Sequence, residues 1–294
     1  MNYRMTLHQQ AKKVQQYIGS VTLPFQGPDA ERYLLMGSGE AAASPFNLRW
    51  LLPKICGGSQ KRWWIVWWIS LPVSILGCFW WGMAIGYGWA ASLAAGVMLV
   101  SLSGITGVRP VEVSLPAMAI SILSAAALSQ GLWPVAIALS LVAGCIKETS
   151  PVWIALWTFN PIPLIGLIAP LIRRLVSKPN ANDPVTDANP ILIRVREDPV
   201  LSSLEHHRGM WRNGWVMVLP WGLTLAALYK PSVALVVLLV VSYAQLLVAT
   251  DLSRLLHSSA GPAMALAAAH NLPSQWLLLL VVVQVMWWRP PAPL

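Results

Sequence analysis

Long apolar runs alternate with short polar stretches along most of the chain. The first run, residues 63–86, has tryptophans crowded at both ends, as is typical of rings at the boundary between water and lipid. The second, residues 89–108, is rich in Gly, Ala and Ser, and such small residues let helices approach closely. Further runs lie at about 113–129, 132–146, 152–172, 211–229, 231–250, 262–270 and 275–288. The pattern predicts about eight or nine membrane segments, several of them shorter than the roughly 20 residues that cross a bilayer.

Polar stretches divide these runs into five regions. Before the first run, apolar residues recur at steps of three and four, which predicts a short amphipathic helix lying on the membrane surface or on the protein itself. A later loop is rich in Pro and Asn, and its piece ILIRVRE alternates as a strand would. The predicted regions are an amphipathic N-terminal segment at 1–28, a polar loop with a re-entrant or interfacial helix at 29–61, a first transmembrane bundle at 62–175, an extramembrane loop at 176–210 and a second transmembrane bundle at 211–294.

The composition agrees with a membrane protein. Hydrophobic residues make up 56% of the chain and charged residues 11%, whereas about a quarter of an ordinary soluble domain is charged. A soluble chain of this size would need more polar surface to cover it. The sequence therefore predicts an all-α fold, namely a polytopic helical membrane protein in which some segments are short or re-entrant.

The net charge of +9 narrows the class of partner. Basic residues cluster beside apolar runs, at 54–62, 173–178 and 194–212, which is typical of positive-inside topology and of contact with anionic headgroups. This placement favours membrane lipids as the partner and argues against nucleic acid. The three cysteines form no CxxC motif and the five histidines lack zinc-site spacing, so the sequence predicts neither a disulfide framework nor a zinc site.

The segment DAERYLLMGSGEAAASPFNLRWLLP, just before the first apolar run, mixes charges with small residues. Asp29, Arg32 and Tyr33 would share one face of a helical turn, because they are spaced three and four residues apart. Pro45 and Pro53 frame FNLRWLL, a helix too short to cross a membrane but of a length that suits a re-entrant or interfacial helix. Spacing alone leaves two interpretations open: a surface linker, or the mouth of a site.

Other charges occur as close pairs at the ends of apolar runs, where burial in lipid is costly. The pairs are Arg109 with Glu112, Lys147 with Glu148, and Asp251 with Arg254, and His257 follows the last pair on the same helical face. One interpretation is that each pair anchors a helix end and partly neutralises itself. The other is that the pairs converge on one polar cavity, in which basic members hold a phosphate and acidic members orient a hydroxyl or a divalent cation.

Three elements, in this order, resemble the GT-C class of glycosyltransferases, which are multi-pass membrane proteins. Asp-x-x-x-Tyr, a Gly-rich gap and Pro-Phe-x-x-Arg-x-Leu-x-Pro together are similar to the first external loop of many bacterial members. IKETSPVWIALW is similar to a Lys/Arg-Glu-Thr element that starts a later membrane helix, and ATDLSRLLHSSAGPAMALAAAH is similar to a late Asp-x-x-Arg element followed by a Pro- and Ala-rich helix. The class has a membrane helix before its first external loop, whereas residues 1–28 offer none.

The resemblance implies transfer of a sugar from a polyprenyl-phosphate donor at the membrane surface, in the plasma membrane of a bacterium. It implies that Asp29 is the catalytic base on the acceptor hydroxyl, with Glu31 as its substitute. The substrate-binding candidates are Arg49, Lys147, Glu148, Asp251, Arg254 and His257, and the resemblance assigns the donor phosphate to the Arg and Lys members. An inverting transfer needs one such base, because a lipid phosphate is already a good leaving group. A divalent cation is left open as a cofactor.

Two other functions stay open at this point. A non-catalytic membrane subunit or scaffold, packed against partner proteins and lipid, would suit a chain with 17 tryptophans and many small residues. A transporter is disfavoured, because the chain shows no internal repeat. The charged positions separate these functions, since they should surround one cavity in a transferase and lie scattered in a scaffold.

Overall fold

The structure is a computed structural model that describes residues 28–40, 42, 46–102, 111–176, 197–208, 218–247 and 252–287. Within these ranges the regular elements are helices and there is no β-strand, which confirms the prediction of an all-α fold. The amphipathic helix predicted for residues 1–28 lies outside the described residues apart from Pro28, as does the strand-like ILIRVRE apart from its last residue.

The helices of the described part of the chain are mostly short. They are α1 (Pro28–Gly37), α2 (Leu51–Cys56), α3 (Gln60–Ala84), α4 (Trp89–Val100), α5 (Ser114–Ser129), α6 (Trp133–Ile146), α7 (Ser150–Thr158), α8 (Ile168–Val176), α9 (Pro199–His206), α10 (Val233–Ala244), α11 (Leu252–Ser259), α12 (Gly261–Asn271) and α13 (Ser274–Trp287). The 3₁₀ segments among them are Phe46–Leu48, Ile162–Leu167, Leu219–Tyr229 and Gln245–Leu247. The apolar runs predicted at 63–86, 113–129 and 132–146 correspond to single helices, α3, α5 and α6.

The apolar run predicted at 152–172 is not one segment. α7 ends at Thr158, and Phe159 adopts the left-handed conformation with φ 49°. The 3₁₀ segment Ile162–Leu167 then leads into α8. Pro161 and Pro163 explain the break, because proline lacks the N–H that would continue an α-helical ladder.

The bundle is built around α3, the longest described helix, which packs along α5 and α4. α5 packs in turn against α6, and α12 packs against α4 and the 3₁₀ segment Leu219–Tyr229. That 3₁₀ segment bends at Gly222, where φ is 52° and ψ is −134°, a conformation that glycine adopts without the penalty of a Cβ.

A small apolar cluster closes one end of the bundle. Its buried members come from α1, α2, the start of α3, the chain entering α5 and the end of α6, and they are Ala30, Tyr33, Leu52, Cys56, Trp63, Val111, Val113, Ala117 and Ile146. We call this the α1 end. Because α3 and α5 begin there and α6 finishes there, the chain entering α5 and the chain leaving α6 both lie beside α1.

Small residues bring the helices into close contact. A Cβ added to Gly96 of α4 would lie 2.8 Å from the backbone of Ile75 in α3, so these helices touch at the glycine. Two buried serines link other elements, because Ser124 donates to the carbonyl of Ala136 at 2.7 Å and Ser140 to the carbonyl of Pro163 at 2.6 Å. Close approach at small residues and serine hydroxyls bonded to carbonyls are typical of helix packing in membranes.

The outward faces of several helices are apolar. Exposed large hydrophobic side chains lie on α3 (Ile65, Trp68, Ile69, Leu76), on α10 (Val233, Val236, Val237, Val240) and on α13 (Leu278, Leu279, Val282, Val283). Contiguous apolar surface of this kind marks a region that contacts lipid or another protein. Among the described helices, α3 alone is long and apolar enough to cross a membrane by its length and composition.

The contact between Gly96 and Ile75 predicts a stability effect. We expect Gly96→Val to lower the free energy of unfolding by about 1–3 kcal/mol, because the added side chain must push α4 away from α3. Chemical denaturation of the purified protein measures this change. Gly88→Ala is the control, since a Cβ at Gly88 has no atom within 4 Å; equal losses in both variants would contradict the close contact as the cause.

Candidate functional site

Charged side chains from five separate parts of the chain meet at the α1 end. We call them the ionic cluster, and they are Asp29 and Arg32 of α1, Arg49 after the first 3₁₀ segment, Glu112 before α5, Lys147 and Glu148 between α6 and α7, and Arg254 of α11. The contact between Asp29 and Arg254 joins positions 225 residues apart. The fold therefore gathers charges that the sequence distributes over most of its length.

Both carboxylate oxygens of Asp29 accept hydrogen bonds from arginines. Arg32, one turn further along α1, donates from Nη1 to Oδ1 at 3.3 Å. Arg254 donates from Nη1 and Nη2 to Oδ2, each at 3.2 Å. Asp29 lies in the first turn of α1, where the helix dipole also stabilises a negative charge. Its side chain keeps 26% of its surface exposed, so it is open to a ligand from the outside.

Arg254 also reaches the chain entering α5. It donates from Nη1 to Oε1 of Glu112 at 3.1 Å. Glu112 accepts from the backbone N–H of Ser114 at 2.6 Å and from its hydroxyl at 2.9 Å, which satisfies a free donor of the first turn of α5. Lys147 donates from Nζ to the Ser114 hydroxyl at 3.0 Å and to that of Ser258 in α11 at 3.4 Å. One connected set of polar contacts therefore ties α5, α6 and α11 together.

Arg49 forms the most regular ion pair of the ionic cluster. Its Nε and Nη2 donate to the two oxygens of Glu148, both at 2.7 Å, the bidentate geometry that makes such pairs strong. Its Nη1 donates to the Tyr33 hydroxyl at 3.1 Å. Tyr33 is fully buried and its ring contacts Phe46 and Trp63. Aromatic packing at the α1 end thus fixes where the guanidinium points.

Counted over the described residues alone, the formal charges of the ionic cluster do not cancel, because four cations (Arg32, Arg49, Lys147 and Arg254) face three carboxylates (Asp29, Glu112 and Glu148). Four minus three leaves one positive charge. Burial, the largest effect, lowers the pKa of Lys147 to about 8, so the amine is mostly protonated at neutral pH. The site is therefore suited to accept an additional anion.

The carboxylate and the phenol beside Arg49 respond to their surroundings in opposite ways. Burial acts to raise the pKa of Glu148, but the hydrogen bonds and the charge of Arg49 outweigh it and lower that pKa below its ordinary value. Burial raises the pKa of Tyr33 well above its ordinary value. Glu148 is therefore held as an anion, and Tyr33 stays a neutral phenol that accepts a hydrogen bond from Arg49.

Five of the predicted site residues lie in the ionic cluster: Asp29, Arg49, Lys147, Glu148 and Arg254. Glu31, the predicted substitute for Asp29, is exposed on α1 and lies outside the cluster. His257 shares α11 with Arg254, but it is fully buried and its ring packs edge-on against Trp221 at 5.2 Å. The structure therefore places the His257 side chain in the packed interior of the bundle. Asp251 and Arg109 lie outside the described residues.

Five further residues complete the site, and one of them, Glu112, stands in the sequence as a charge pair with Arg109. The sequence predicts Arg32 and Tyr33 on one face with Asp29, but their spacing does not indicate that both hold partners in the site. Ser114 and Ser258 both contact Lys147. Nothing in the sequence distinguishes these two serines from the many others that lie in or beside its apolar runs.

The predicted helix FNLRWLL is wrong in its boundaries. The 3₁₀ segment Phe46–Leu48 comes first, and α2 begins at Leu51 and contains Pro53 as its third residue. Proline is tolerated there because the first turn of a helix has no intrahelical partner for its N–H groups. Arg49 lies at the junction of the two elements, beyond the regular turn of either one.

Within the described residues, no group of three or more His, Cys, Asp or Glu side chains is arranged to hold a metal ion. Comparison of the chain with protein-family models, with curated proteins and with solved structures finds no match. The resemblance to the GT-C class therefore stays a prediction from the three sequence elements, and the geometry of the ionic cluster is the basis for a functional proposal.

The pair between Arg49 and Glu148 predicts a specific pattern of stabilities. We expect Glu148→Ala to lower the free energy of unfolding by about 3 kcal/mol, because it leaves a buried guanidinium without its carboxylate. The double variant Arg49→Met, Glu148→Leu should recover much of that loss, since neither charge is then buried. Chemical denaturation measures all three proteins.

The exposed Glu31→Gln is the control for this pattern and should change stability little. If the double variant were as unstable as the sum of its single variants, the two side chains would not be coupled as the geometry indicates.

Proposed function

We propose that the protein is an integral membrane glycosyltransferase that moves a sugar from a polyprenyl-phosphate donor to an acceptor hydroxyl at the membrane surface. The observation that carries the proposal is the ionic cluster, where charges from five parts of the chain meet at the α1 end. If these charges served only as separate anchors of helix ends, we would expect them to lie apart, each at its own helix end.

The outward faces of the helices support a membrane location. α10 and α13 carry rows of exposed Val and Leu, and α3 carries exposed Ile, Leu and Trp. In water such surface favours association, whereas in a bilayer it is solvated by lipid chains. The interior offers small residues and bonded serines in place of charges, which is how helices pack in lipid.

Asp29 is the best-placed general base in this proposal. It is the most exposed acid of the three in the ionic cluster, with 26% of its side chain exposed against 18% for Glu148 and 10% for Glu112. It would take the proton of the acceptor hydroxyl while the acceptor oxygen bonds to the anomeric carbon of the sugar. The bond from that carbon to the phosphate oxygen breaks, and polyprenyl phosphate leaves with the electron pair.

The cations of the ionic cluster would bind the phosphate of the donor. Among the described residues the cations of the cluster outnumber its carboxylates by one, which favours an anion. Charge on the leaving phosphate develops during the reaction, so fixed cations stabilise the transition state more than the ground state. Arg254 now bonds Asp29 and Glu112. A donor phosphate that took over part of Arg254 would weaken its hold on Asp29 and leave that carboxylate a better base.

A non-catalytic membrane scaffold is the second candidate, and one observation favours it. Each carboxylate of the ionic cluster already has a cationic partner within 3.3 Å, as a purely structural lock would require. The two candidates differ in what they predict for Asp29, because a transferase loses sugar transfer when that carboxylate is replaced, whereas a scaffold has no transfer activity to lose.

We expect Asp29→Asn to reduce sugar transfer by about 10²–10⁴-fold, the usual contribution of a general base, while circular dichroism shows an unchanged fold. The measurement is the transfer of a labelled sugar from polyprenyl-phosphate sugar to endogenous acceptor lipid or glycan in membranes that contain the protein. Glu31→Gln, two residues away and exposed, is the matched control and should retain activity. Full activity in Asp29→Asn would remove Asp29 from the mechanism.

The pKa of Lys147 predicts the alkaline limit of the reaction. The protonated amine attracts the donor phosphate, so kcat/KM should fall as pH rises through the pKa of the free enzyme, about 8. Lys147→Arg keeps its charge at every accessible pH, and its alkaline decline should move to higher pH or disappear. An unchanged alkaline limb in Lys147→Arg would show that another group titrates there.

A further inference from the structure

A groove separate from the ionic cluster lies between the C-terminal half of α1, the chain leading into α2, and α8. Its volume is about 860 Å³, and the residues that line it include Met36, Glu40, Asn47, Lys54, Ile172, Arg173 and Val176. Met36 is seven residues from Asp29, which is about 10 Å along an α-helix. No residue of the ionic cluster lines the groove.

The polar groups of the groove favour an anion that also carries a hydroxyl. Among the described lining residues, Lys54 and Arg173 supply two positive charges and Glu40 is the one acid, so one positive charge is left over. Oδ1 of Asn47 is buried without a hydrogen-bond partner in the described structure. An amide oxygen accepts hydrogen bonds and does not donate them, and a buried acceptor without a donor is costly. A ligand hydroxyl would satisfy it.

The walls of the groove favour an amphiphile. Ile172 and Val176 of α8 line it. Their neighbours on α8, Leu171 and Leu175, are 56% and 87% exposed. The last turn of α8 carries Arg173 next to Arg174. A short helix with exposed apolar side chains and arginines is typical of one that lies at the boundary between lipid and water.

We propose that this groove binds the headgroup of an anionic, hydroxyl-bearing phospholipid of the phosphatidylglycerol type. Its phosphate bonds Lys54 and Arg173, a glycerol hydroxyl donates to Asn47, and its acyl chains follow the apolar face of α8. The proposal rests on the membrane location given above and not on glycosyl transfer. The lipid is therefore a bound structural partner of the α1 end.

The test is a titration of the detergent-purified protein with single lipids, followed by native mass spectrometry. Three lipids with the same acyl chains are compared: phosphatidylglycerol, phosphatidylmethanol, which is equally charged but lacks the hydroxyls, and zwitterionic phosphatidylcholine. We expect phosphatidylglycerol to bind most tightly and phosphatidylcholine most weakly.

The variants assign each part of the groove. Lys54→Gln and Arg173→Gln should each weaken phosphatidylglycerol binding roughly tenfold, the loss of one charge-assisted contact. Both side chains are exposed, so these variants should fold. Arg174→Gln is the matched control, because Arg174 is the neighbour of Arg173 but does not line the groove. Asn47→Ala should remove the difference between phosphatidylglycerol and phosphatidylmethanol.

Three results would overturn the proposal. One is equal binding of phosphatidylcholine and phosphatidylglycerol. Another is an equal effect of Arg174→Gln and Arg173→Gln, which would indicate attraction to a basic surface without a defined site. The third is co-purification of a polyprenyl lipid that Arg173→Gln removes, which would assign the groove to the sugar donor. Asn47→Ala and Asp29→Asn separate the two proposals, because lipid selectivity should follow only the first and sugar transfer only the second.

Discussion

A charge taken out of water must find an opposite charge or lose its ionisation, and that constraint shapes the α1 end. Arg254 meets it by bonding Asp29 of α1 and Glu112 before α5 together. The Ser114 hydroxyl bonds both Glu112 and Lys147. Glu148, the neighbour of Lys147, pairs with Arg49. The short elements at the α1 end also share the apolar cluster to which Tyr33 belongs. Their positions depend on this set of ion pairs and on the aromatic packing of Tyr33 beneath it.

The same constraint connects the fold with the proposed chemistry. Ion pairs that only balance one another make a lock, whereas a set with one cation in excess has room for an anion. Counted over the described residues, the ionic cluster is of the second kind, and its most exposed carboxylate, Asp29, is held by arginines that a phosphate would also attract. Binding of the donor phosphate to Arg254 would then also free the Asp29 carboxylate to act as the base. This coupling follows from the geometry of Arg254 and does not require a large movement of the chain.

Much of this architecture is readable from the sequence. Apolar runs of uniform character predict α3, α5 and α6 closely, because hydrophobic length dominates there even though α3 carries Pro72 in its interior. Charges at the ends of those runs predict Lys147, Glu148 and Arg254 as members of a site. What spacing cannot supply is which charges meet, since the contacts of Arg49 and Arg254 join positions 99 and 225 residues apart. The predictions for the run at 152–172 and for the helix FNLRWLL are wrong for a local reason. Pro161 and Pro163 interrupt the run, whereas Pro53 is tolerated in the first turn of α2. His257 is a different case. It lies three residues after Arg254, but its ring is buried against Trp221, and spacing along one helix cannot predict such a tertiary contact.

The pair between Asp29 and Arg254 also has a consequence for how the protein is made. Arg254 follows Asp29 by 225 residues, so a ribosome makes Asp29 and Glu112 long before the guanidinium that joins them. Until Arg254 is made, the two carboxylates lack that partner. Assembly of the pocket is thus delayed until α11 has been made, which keeps an unfinished chain from presenting a completed site.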